Sequence, residues 1–512
     1  LLSITPAFAQ TPSDAQGLLR LTGSEARLGG QGTVTVQGFP FANWILLADG
    51  TPGQSTFPPL GTLWLPLSSQ LQILVDSFSN GGAAIPMTGL ATFSVGMPAL
   101  PGLDGVTSFV QAFGTDPTSP SAFAFSNALS YQLALPDSHH GISGPMGEPR
   151  AFHQTVTLPN EDLLVIGGGN GQLLLPVASA TCERYEPFLR RFRPDTSMSV
   201  ARTLHRATPL LDGRVFVSGG SQTLGVGIDS AEIYDPTTAT FLPPVTMSSN
   251  RIAHTATLLN DGRVLLCGGA TTFVLTPPTS TNYGPIFTAG LDTAEIYDPV
   301  TNTFAPTANA MSAKRLGHAA VLLPNGKVLV TGGIRGSQTV FGISAPLYAQ
   351  TADLFDPVTN SFSPAASPAI GRIVHTLDHL AASNEVIAIG GAGGTLVQTL
   401  GSTEIYDVQT DSWSAGPALP GGTTLALHDT TQLANGDLWV NGGAVGTVGL
   451  FSAVAGTQRF SRATGFTATT PLPDTRQAHT TTLTAAGLLV IGGADDSNPS
   501  IATSSATMWT TN

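Results

Sequence analysis

The segment RIAHTATLLNDGRVLLCGG, residues 251–269, decides the fold. Two strand-length apolar runs, 254–259 and 263–267, flank the sequence Asn-Asp-Gly, which is typical of a β-hairpin turn. An arginine stands three residues before the histidine that opens the first run, and a Gly-Gly pair follows the second run. The same order of features occurs seven times from residue 150 onward, so this part of the chain consists of internal repeats.

Each repeat continues with an acid-x-aromatic stretch, such as Ala-Glu-Ile-Tyr-Asp-Pro at 294–299, and in six repeats a further aromatic follows. This pattern predicts four short strands per repeat. The repeated histidines are His153, His205, His254, His318, His375, His428 and His479. The glycine pairs begin at Gly167, Gly219, Gly268, Gly332, Gly390, Gly442 and Gly492. The arginines are Arg150, Arg202, Arg251, Arg315, Arg372 and Arg476, and the sixth repeat has Leu425 instead.

These residues resemble the kelch family, in particular the seven-bladed propeller of galactose-oxidase-like proteins. The resemblance implies an all-β protein: an N-terminal antiparallel β-sandwich followed by a seven-bladed kelch-type β-propeller. We expect a signal-peptide remnant at 1–9, the sandwich at 10–137, a linker at 138–149 and the propeller at 150–512. The last repeat contains only three strands. We therefore expect residues near 138–148, or the last sandwich strand, to supply the fourth. The alternative is a three-stranded final blade.

Composition and charge narrow the class of protein. Only 10% of the residues are charged, while Gly (58) and Pro (38) are abundant, which suits short strands and turns. The net charge of −13 gives no basic surface for nucleic acid. No apolar run is long enough to span a membrane. With Ala7-Phe8-Ala9 as a cleavage-like sequence, these features predict a secreted or periplasmic monomer without a cofactor.

The repeated histidines and arginines are predicted to be structural, because a residue that recurs in every repeat does the same work in each. We expect buried imidazoles whose nitrogens bond backbone groups of adjacent strands. The arginines are expected to pair with an acid on strand three, which is Glu183, Glu232, Glu295, Asp353 or Glu404 in the first five repeats. The sixth repeat lacks both partners, with Leu425 and Gln458. The seventh keeps Arg476 opposite Thr507, so Arg476 is predicted to be available to a ligand.

The galactose-oxidase resemblance also raises copper radical oxidation as an alternative function. That chemistry needs a cysteine joined to a tyrosine, a Tyr-His dipeptide and a further histidine on the metal. The sequence has no Tyr-His dipeptide. Its two cysteines, Cys182 and Cys267, are expected to be small buried hydrophobic residues. We predict no catalytic and no metal-binding residues.

The long connections between strands two and three offer the remaining candidates. Repeats three and four carry insertions at 270–292 and 334–351, on neighbouring blades. Their aromatic residues either bury each other or contact a ligand. The candidate ligand-binding residues are Phe273, Tyr283, Phe287, Phe341, Tyr348 and Arg476. The sequence thus predicts a secreted, non-catalytic protein that binds a glycan, a cell-surface component or another protein. The alternative is a copper radical oxidase or another carbohydrate-active enzyme with a non-standard site.

Overall fold

The structure is a computed structural model. It describes residues 144–509 apart from 174, 188–189, 224, 273, 277–283, 287–289, 341–342, 395–396, 448–450, 485–486 and 498–499. It also describes the backbone of ten strands between residues 20 and 141.

Residues 150 onward form seven blades, one for each repeat, and each blade is an antiparallel sheet whose strands follow sequence order in blades one to six. Strand one is Gln154–Thr157, Arg206–Pro209, Thr255–Leu258, Ala319–Leu322, Thr376–Leu380, Asp429–Gln432 and Thr480–Thr484 in blades one to seven. Strand two is Leu163–Ile166, Val215–Ser218, Val264–Cys267, Val328–Thr331, Glu385–Ile389, Leu438–Asn441 and Gly487–Ile491. These strands confirm the predicted hairpins.

The outer half of each blade contains the acid-x-aromatic stretch. Strand three is Cys182–Glu186, Ser230–Asp235, Ala294–Asp298, Ala352–Asp356, Thr403–Asp407, Thr457–Ser461 and Ala506–Trp509. Strand four of blades one to six is Arg191–Asp195, Thr240–Phe241 with Val245–Thr246, Thr303–Pro306, Ser361–Ala365, Ser412–Ala415 and Gly465–Ala468. The helical structure of the described residues is one 3-10 turn at Pro420–Gly422. No helix in this part of the chain is long and apolar enough to cross a membrane.

The fourth strand of blade seven comes from residues that precede the first repeat. His139–Gly141 pairs antiparallel with Ala506–Trp509, with His139 opposite Trp509. The ring is closed a second time near its axis, where Gly493 N donates to Arg150 O at 2.7 Å. Both contacts are hydrogen bonds between the first and last blades, which are not consecutive in the sequence.

The Gly-Gly pairs join each blade to the next. In blade two, Gly220 N donates to Arg251 O of blade three at 2.8 Å, and six equivalent bonds connect the other blades. Gly219 has φ +58°, and a Cβ there would lie 2.4 Å from the Arg251 carbonyl oxygen. The repeat therefore needs glycine, both for the left-handed backbone and for the close approach of the next blade.

Strand two is the most buried strand of each blade, and the cores form between neighbouring blades. Val217 of blade two packs with Leu164 and Ile166 of blade one. Leu489 and Met508 of blade seven pack with Val165 of blade one, so the core also continues across the closure. Each blade therefore depends on both neighbours for its buried surface.

Ahead of the propeller, the described backbone forms two sheets and a hairpin. One sheet orders Arg20–Gly23, Gln31–Gln37 and Leu90–Gly96, and the other orders Gln72–Asp76, Trp44–Asp49, Thr107–Thr115 and Phe123–Gln132. Ser55–Phe57 pairs with Gly61–Leu63. The strands are antiparallel, whereas the packing of the two sheets as a sandwich stays a prediction.

Candidate functional site

The repeated histidines are buried, and most of them bond a polar side chain of the preceding blade. His318 Nε2 lies 3.0 Å from Thr255 Oγ1, and His428 Nε2 lies 3.2 Å from Thr376 Oγ1. In five blades the partner of Nε2 is thus a side chain of the neighbouring blade, in place of the backbone group that was expected. Burial lowers the pKa of His428 to about 4 and that of His153 to about 3, so the rings are neutral.

The predicted arginine–carboxylate pairs are present in the first five blades. The bonded atoms lie 2.7 to 3.0 Å apart in the pairs Arg150–Glu183, Arg202–Glu232, Arg251–Glu295, Arg315–Asp353 and Arg372–Glu404. Each arginine also donates from Nη1 to the carbonyl oxygen of the first glycine of its own blade, as Arg251 does to Gly268 O at 2.8 Å. Each carboxylate in turn accepts a backbone N–H from the connection between blades, as Glu295 does from Ser248 at 2.9 Å. These pairs fix the blade connections and are structural.

The last two blades depart from this pattern. In blade six, Leu425 and Gln458 are both buried where the ion pair would lie. In blade seven the prediction for Arg476 is wrong, because its side chain is fully buried and has no surface for a ligand. Arg476 Nη2 donates to Ser505 Oγ at 3.0 Å and lies 3.5 Å from Asp474 Oδ2. Burial lowers the pKa of Arg476 to about 10.

Small hairpins between strands two and three project from the face of the propeller where the glycine pairs lie; we call this face the crown. The hairpins are Gly169–Gln172 with Leu175–Ala178, Ser221–Thr223 with Val226–Gly227, Val274–Thr276 with Gly284–Ile286, Ile334–Val340 with Ile343–Tyr348, Ala392–Gly393 with Gln398–Thr399, and Ala444–Val445 with Ser452–Ala453. Backbone bonds join neighbouring hairpins, for example from Gly227 N to Thr271 O and from Thr399 N to Gly446 O, both at 2.9 Å. Bonds of this kind join blades two and three, blades five and six, and blades seven and one at the crown.

Of the predicted aromatic contacts, Tyr348 lies within the described residues. It is partly buried near the base of the blade-four hairpin and donates from its hydroxyl to Gly394 O of blade five at 3.1 Å. Burial raises the pKa of this phenol. Phe273, Tyr283, Phe287 and Phe341 lie outside the described residues.

Apolar side chains that the sequence analysis did not single out are exposed on the crown. Val177, Val226 and Ile501 are 72%, 53% and 46% exposed, and they belong to blades one, two and seven, which are consecutive in the ring. Ile501 forms a bridge with Gln172 of the neighbouring blade-one hairpin. Contiguous exposed apolar surface is a feature of binding sites. Leu211, Val300 and Val358 are also exposed, on the opposite face.

The central channel contains charged residues that the sequence analysis also missed. Strand one is the innermost strand of each blade, and the first strands of neighbouring blades contact each other around the ring. Arg206 and Asp429 are the first residues of strand one in blades two and six, at the crown end of the channel. Asp378 lies two residues into strand one of blade five. All three side chains are partly buried.

The two channel carboxylates are linked through one threonine. Thr430 Oγ1 donates to Asp378 Oδ2 at 2.8 Å, and Thr430 N donates to Asp429 Oδ1 at 3.0 Å. Burial raises the pKa of Asp378 to about 6. Burial, together with the charge of Asp378, raises the pKa of Asp429 to about 7. The pair therefore retains a proton more readily than ordinary aspartates do.

Arg206 is the cationic residue of this site. Its Nε donates to His254 O at 2.9 Å, which holds the side chain against blade three. Burial lowers the pKa of its guanidinium, and the charge of Asp429 opposes that shift. No ion pair joins Arg206 to a carboxylate among the residues that the structure describes. The sequence does contain a signal for Arg206 and Asp429. The residue that follows the repeated histidine varies between repeats, and it is charged only in repeats two and six.

A separate groove of about 570 Å³ lies on the opposite face, at the outer corner between blades six and seven. Asp437, Arg459 and Trp509 line part of it. Arg459 Nη2 and Asp437 Oδ2 already pair at 2.7 Å, so the groove's charges compensate each other. The groove is less suited to a charged ligand than the channel site.

The described residues do not supply a copper radical site. No three His, Cys, Asp or Glu side chains in this part of the chain come together as metal ligands would. Cys182 and Cys267 are both free and buried, as expected, and burial raises the pKa of each thiol to about 12. A thiol held in the protonated form inside the core is a poor metal ligand.

Comparison with known proteins identifies the fold. No protein-family model and no curated protein matches the sequence. A solved structure of a fungal alcohol oxidase of the AA5 family, in complex with copper, is similar with a TM-score of 0.57 and 17% identity, covering 73% of this chain and 76% of that chain. The structure of YjhT matches with a TM-score of 0.44 and 15% identity, over 60% of this chain and 94% of that chain, which is too distant to carry an argument. The similarity to the alcohol oxidase shows the fold alone: the chain contains a seven-bladed β-propeller.

Proposed function

We propose that the protein is a secreted, non-catalytic binding protein that uses its crown to bind a glycan or a protein at a cell surface. The observation that carries this proposal is the set of crown hairpins, joined by backbone bonds at three blade boundaries, with Val177, Val226 and Ile501 exposed among them. Hairpins that are held by backbone bonds lose little conformational freedom when a partner binds, so more of the contact energy contributes to affinity. Propeller folds serve many functions, so the function has to be inferred from the surface residues and not from the fold.

Binding assays with the full chain test the proposal. A glycan array and a cell-binding assay report the two ligand classes, and the variants Tyr283→Ala and Tyr348→Ala probe the long hairpins of blades three and four. We expect at least one of these variants to weaken binding. Undiminished binding in both would remove these aromatic residues as ligand contacts and would leave the aliphatic residues of blades seven, one and two as the proposed contacts.

The alternative, a copper radical oxidase or another carbohydrate-active enzyme, is favoured by the overall resemblance to the alcohol oxidase alone. At 17% identity that resemblance extends to the fold and not to the site. Metal analysis of the purified protein separates the two functions. Stoichiometric copper would overturn the binding proposal, and its absence after copper loading would leave the oxidase without its metal.

A further inference from the structure

Strand three carries an arginine opposite strand two in blades one and six, Arg184 and Arg459. In both blades the residue just before strand two is an aspartate that pairs with this arginine. Arg184 Nη1 lies 3.5 Å from Asp162 Oδ2. Arg459 Nη2 lies 2.7 Å from Asp437 Oδ2. The other five blades have an apolar residue at the position of the arginine: Ile233, Ile296, Leu354, Ile405 and Met508.

In blade one this arginine is enclosed. Arg184 Nε donates to Asp195 Oδ2 at 2.7 Å, and Nη2 donates to the hydroxyl of Tyr234, in blade two, at 2.6 Å. The Tyr234 hydroxyl donates in turn to Asp195 at 3.0 Å. The side chain of Arg184 is 8% exposed, so these neighbours leave no room for a ligand at its guanidinium.

Both enclosing residues are replaced in blade six. Thr469 stands at the position of Asp195, opposite the first residue of strand three. Trp509 of blade seven stands at the position of Tyr234, and an indole has no acceptor for an arginine. The side chain of Arg459 is 35% exposed, and the groove of about 570 Å³ lies beside it. This volume is in the range of small-molecule sites, and it occupies the place that a carboxylate and a phenol take in blade one.

The ion pair in the groove retains hydrogen-bonding capacity. Arg459 Nε and Nη2 both lie 2.7 Å from the same oxygen, Asp437 Oδ2, and Asn435 Nδ2 donates to that oxygen at 2.9 Å. Arg459 Nη1 and Asp437 Oδ1 have no hydrogen-bond partner among the residues that the structure describes. One ionised donor and one ionised acceptor therefore remain for a ligand. A ligand hydroxyl can bond either of them, because it both accepts and donates.

The surrounding charges favour an uncharged ligand. In blade one, Arg191 and Arg193 share Glu186, with Nε–Oε distances of 2.9 and 2.7 Å, and the surplus positive charge offsets Asp195. In blade six the ion pair of the groove is already balanced, so a charged ligand would meet no compensating charge. The positions of Arg191, Arg193 and Glu186 are occupied there by Gly465, Thr467 and Ser461.

Hydroxyl groups make up much of the remaining wall of the groove. We propose that this groove binds an uncharged sugar, whose hydroxyl groups bond Arg459 and Asp437 and then the hydroxyl groups of the wall. Bonds to an ionised partner are stronger than those between neutral groups, so the ion pair supplies most of the affinity. The groove and the crown lie on opposite faces, so this site is independent of the surface that we propose for a macromolecular partner. The wall residues with hydroxyl groups are Ser461, Thr464, Thr467, Thr469 and Thr470.

Calorimetric titration of the full chain with glucose and mannose tests the proposal, with glucuronate and glucosamine as charged probes of similar size. We expect at least one of the two neutral sugars to bind and both charged probes to bind more weakly. Absence of binding by both neutral sugars over the millimolar range would overturn the proposal. A charged probe that binds as tightly as the better neutral sugar would overturn the uncharged ligand class.

A double variant that copies blade one should close the groove. Thr469→Asp with Trp509→Tyr supplies the two groups that enclose Arg184, and we expect a loss of more than about tenfold in sugar affinity. Thr307→Asp introduces the same charge at the corresponding position of blade three, where strand three has no arginine, and should retain binding. Thermal melting confirms that each variant is folded. Unchanged affinity in the folded double variant would contradict the proposal.

A second variant tests the ion pair without filling the groove. Arg459→Met removes the guanidinium and keeps an apolar stem, and it should also lose more than about tenfold in sugar affinity. Arg263→Met breaks a comparably exposed ion pair with Asp261 outside the groove and should retain binding. Sugar binding that persists in Arg459→Met would place the ligand elsewhere, the crown included, and would overturn the proposal. Equal losses in both methionine variants would do the same.

Discussion

His479 Nε2 lies 2.6 Å from Asn441 Oδ1, so a buried imidazole of blade seven is hydrogen-bonded to a buried amide of blade six. Asn441 also accepts from Thr481 Oγ1 at 3.1 Å. One amide oxygen therefore serves two groups of the next blade. Contacts of this kind, together with the Gly-Gly bonds, hold the ring of blades together.

Replacing Asn441 with isoleucine should destabilise the propeller, because His479 loses its partner inside the core. We expect a loss of about 1 to 3 kcal/mol in the free energy of unfolding. Thr331→Val is the matched control at the same position of blade four, where the hydroxyl has no partner, and it should leave stability unchanged or raise it. Denaturant unfolding of both variants measures the difference. Equal effects would show that the hydrogen bond contributes nothing.

Removing one partner of a buried ion pair should lower the free energy of unfolding strongly, whereas replacing both partners together should lower it much less. Arg251→Ala strands Glu295 in the core and should cost about 3 to 5 kcal/mol. The double variant Arg251→Leu with Glu295→Gln recreates the Leu425 and Gln458 combination of blade six and should recover much of that loss. Thermal and urea unfolding provide the measurement. A double variant as unstable as Arg251→Ala would indicate that the charges themselves stabilise this position.

Strand four of blade seven should matter more than the rest of the N-terminal region. We compare a chain that starts at residue 138, which keeps His139–Gly141, with one that starts at residue 144. The shorter chain exposes the edge of Ala506–Trp509 and should melt at a lower temperature and aggregate more readily. Equal melting temperatures would exclude a stabilising role for this closing strand.

Acid should unfold the protein through its seven neutral histidines. Burial holds their pKa values below 6.5 in the folded state, to about 3 for His153 and His205. The unfolded chain therefore takes up protons first as the pH falls below about 6.5, and stability decreases by about 1.4 kcal/mol per histidine per pH unit. The raised pKa values of Asp378 and Asp429 act in the opposite direction, since their contribution is largest at low pH and is lost as the pH rises through about 6 to 7.

The loss of stability from the seven histidines exceeds the gain from the two aspartates as the pH falls. The urea midpoint of unfolding should therefore be lower near pH 5 than near pH 7. Replacing a single histidine should reduce the steepness of this dependence by about one proton. Midpoints that coincide at the two pH values would contradict neutral, buried imidazoles in the folded protein.

The sequence was sufficient for features that act within one repeat. The joint presence of an arginine and an acid, and their joint absence at Leu425 and Gln458, correctly predicted the buried pairs. Hairpin turns and strand order also follow from local signals. These contacts join residues whose separation is nearly the same in each repeat, so the repetition itself reveals them.

Contacts between repeats were harder to predict. The partner of His479 is Asn441 in the preceding blade, and identifying it requires the lateral register of two sheets. Arg476 was predicted to be free because its strand-three acid is missing, but it is buried, bonds Ser505 and the Gly492 carbonyl, and lies 3.5 Å from Asp474. Recurrence could not reveal Arg206 and Asp429, because these two residues replace a threonine that occupies the same position in three other repeats.

The most direct test of the account asks which face of the propeller binds. Val177→Lys with Val226→Lys places charge on the crown, and Val300→Lys with Val358→Lys places the same charge on the opposite face, where both valines are 92% exposed. All four residues are exposed, so folding should be unaffected. In a cell-surface or glycan binding assay we predict that the crown variant loses binding while the opposite-face variant retains it. Loss of binding only in the opposite-face variant, or in neither, would contradict a binding function of the crown.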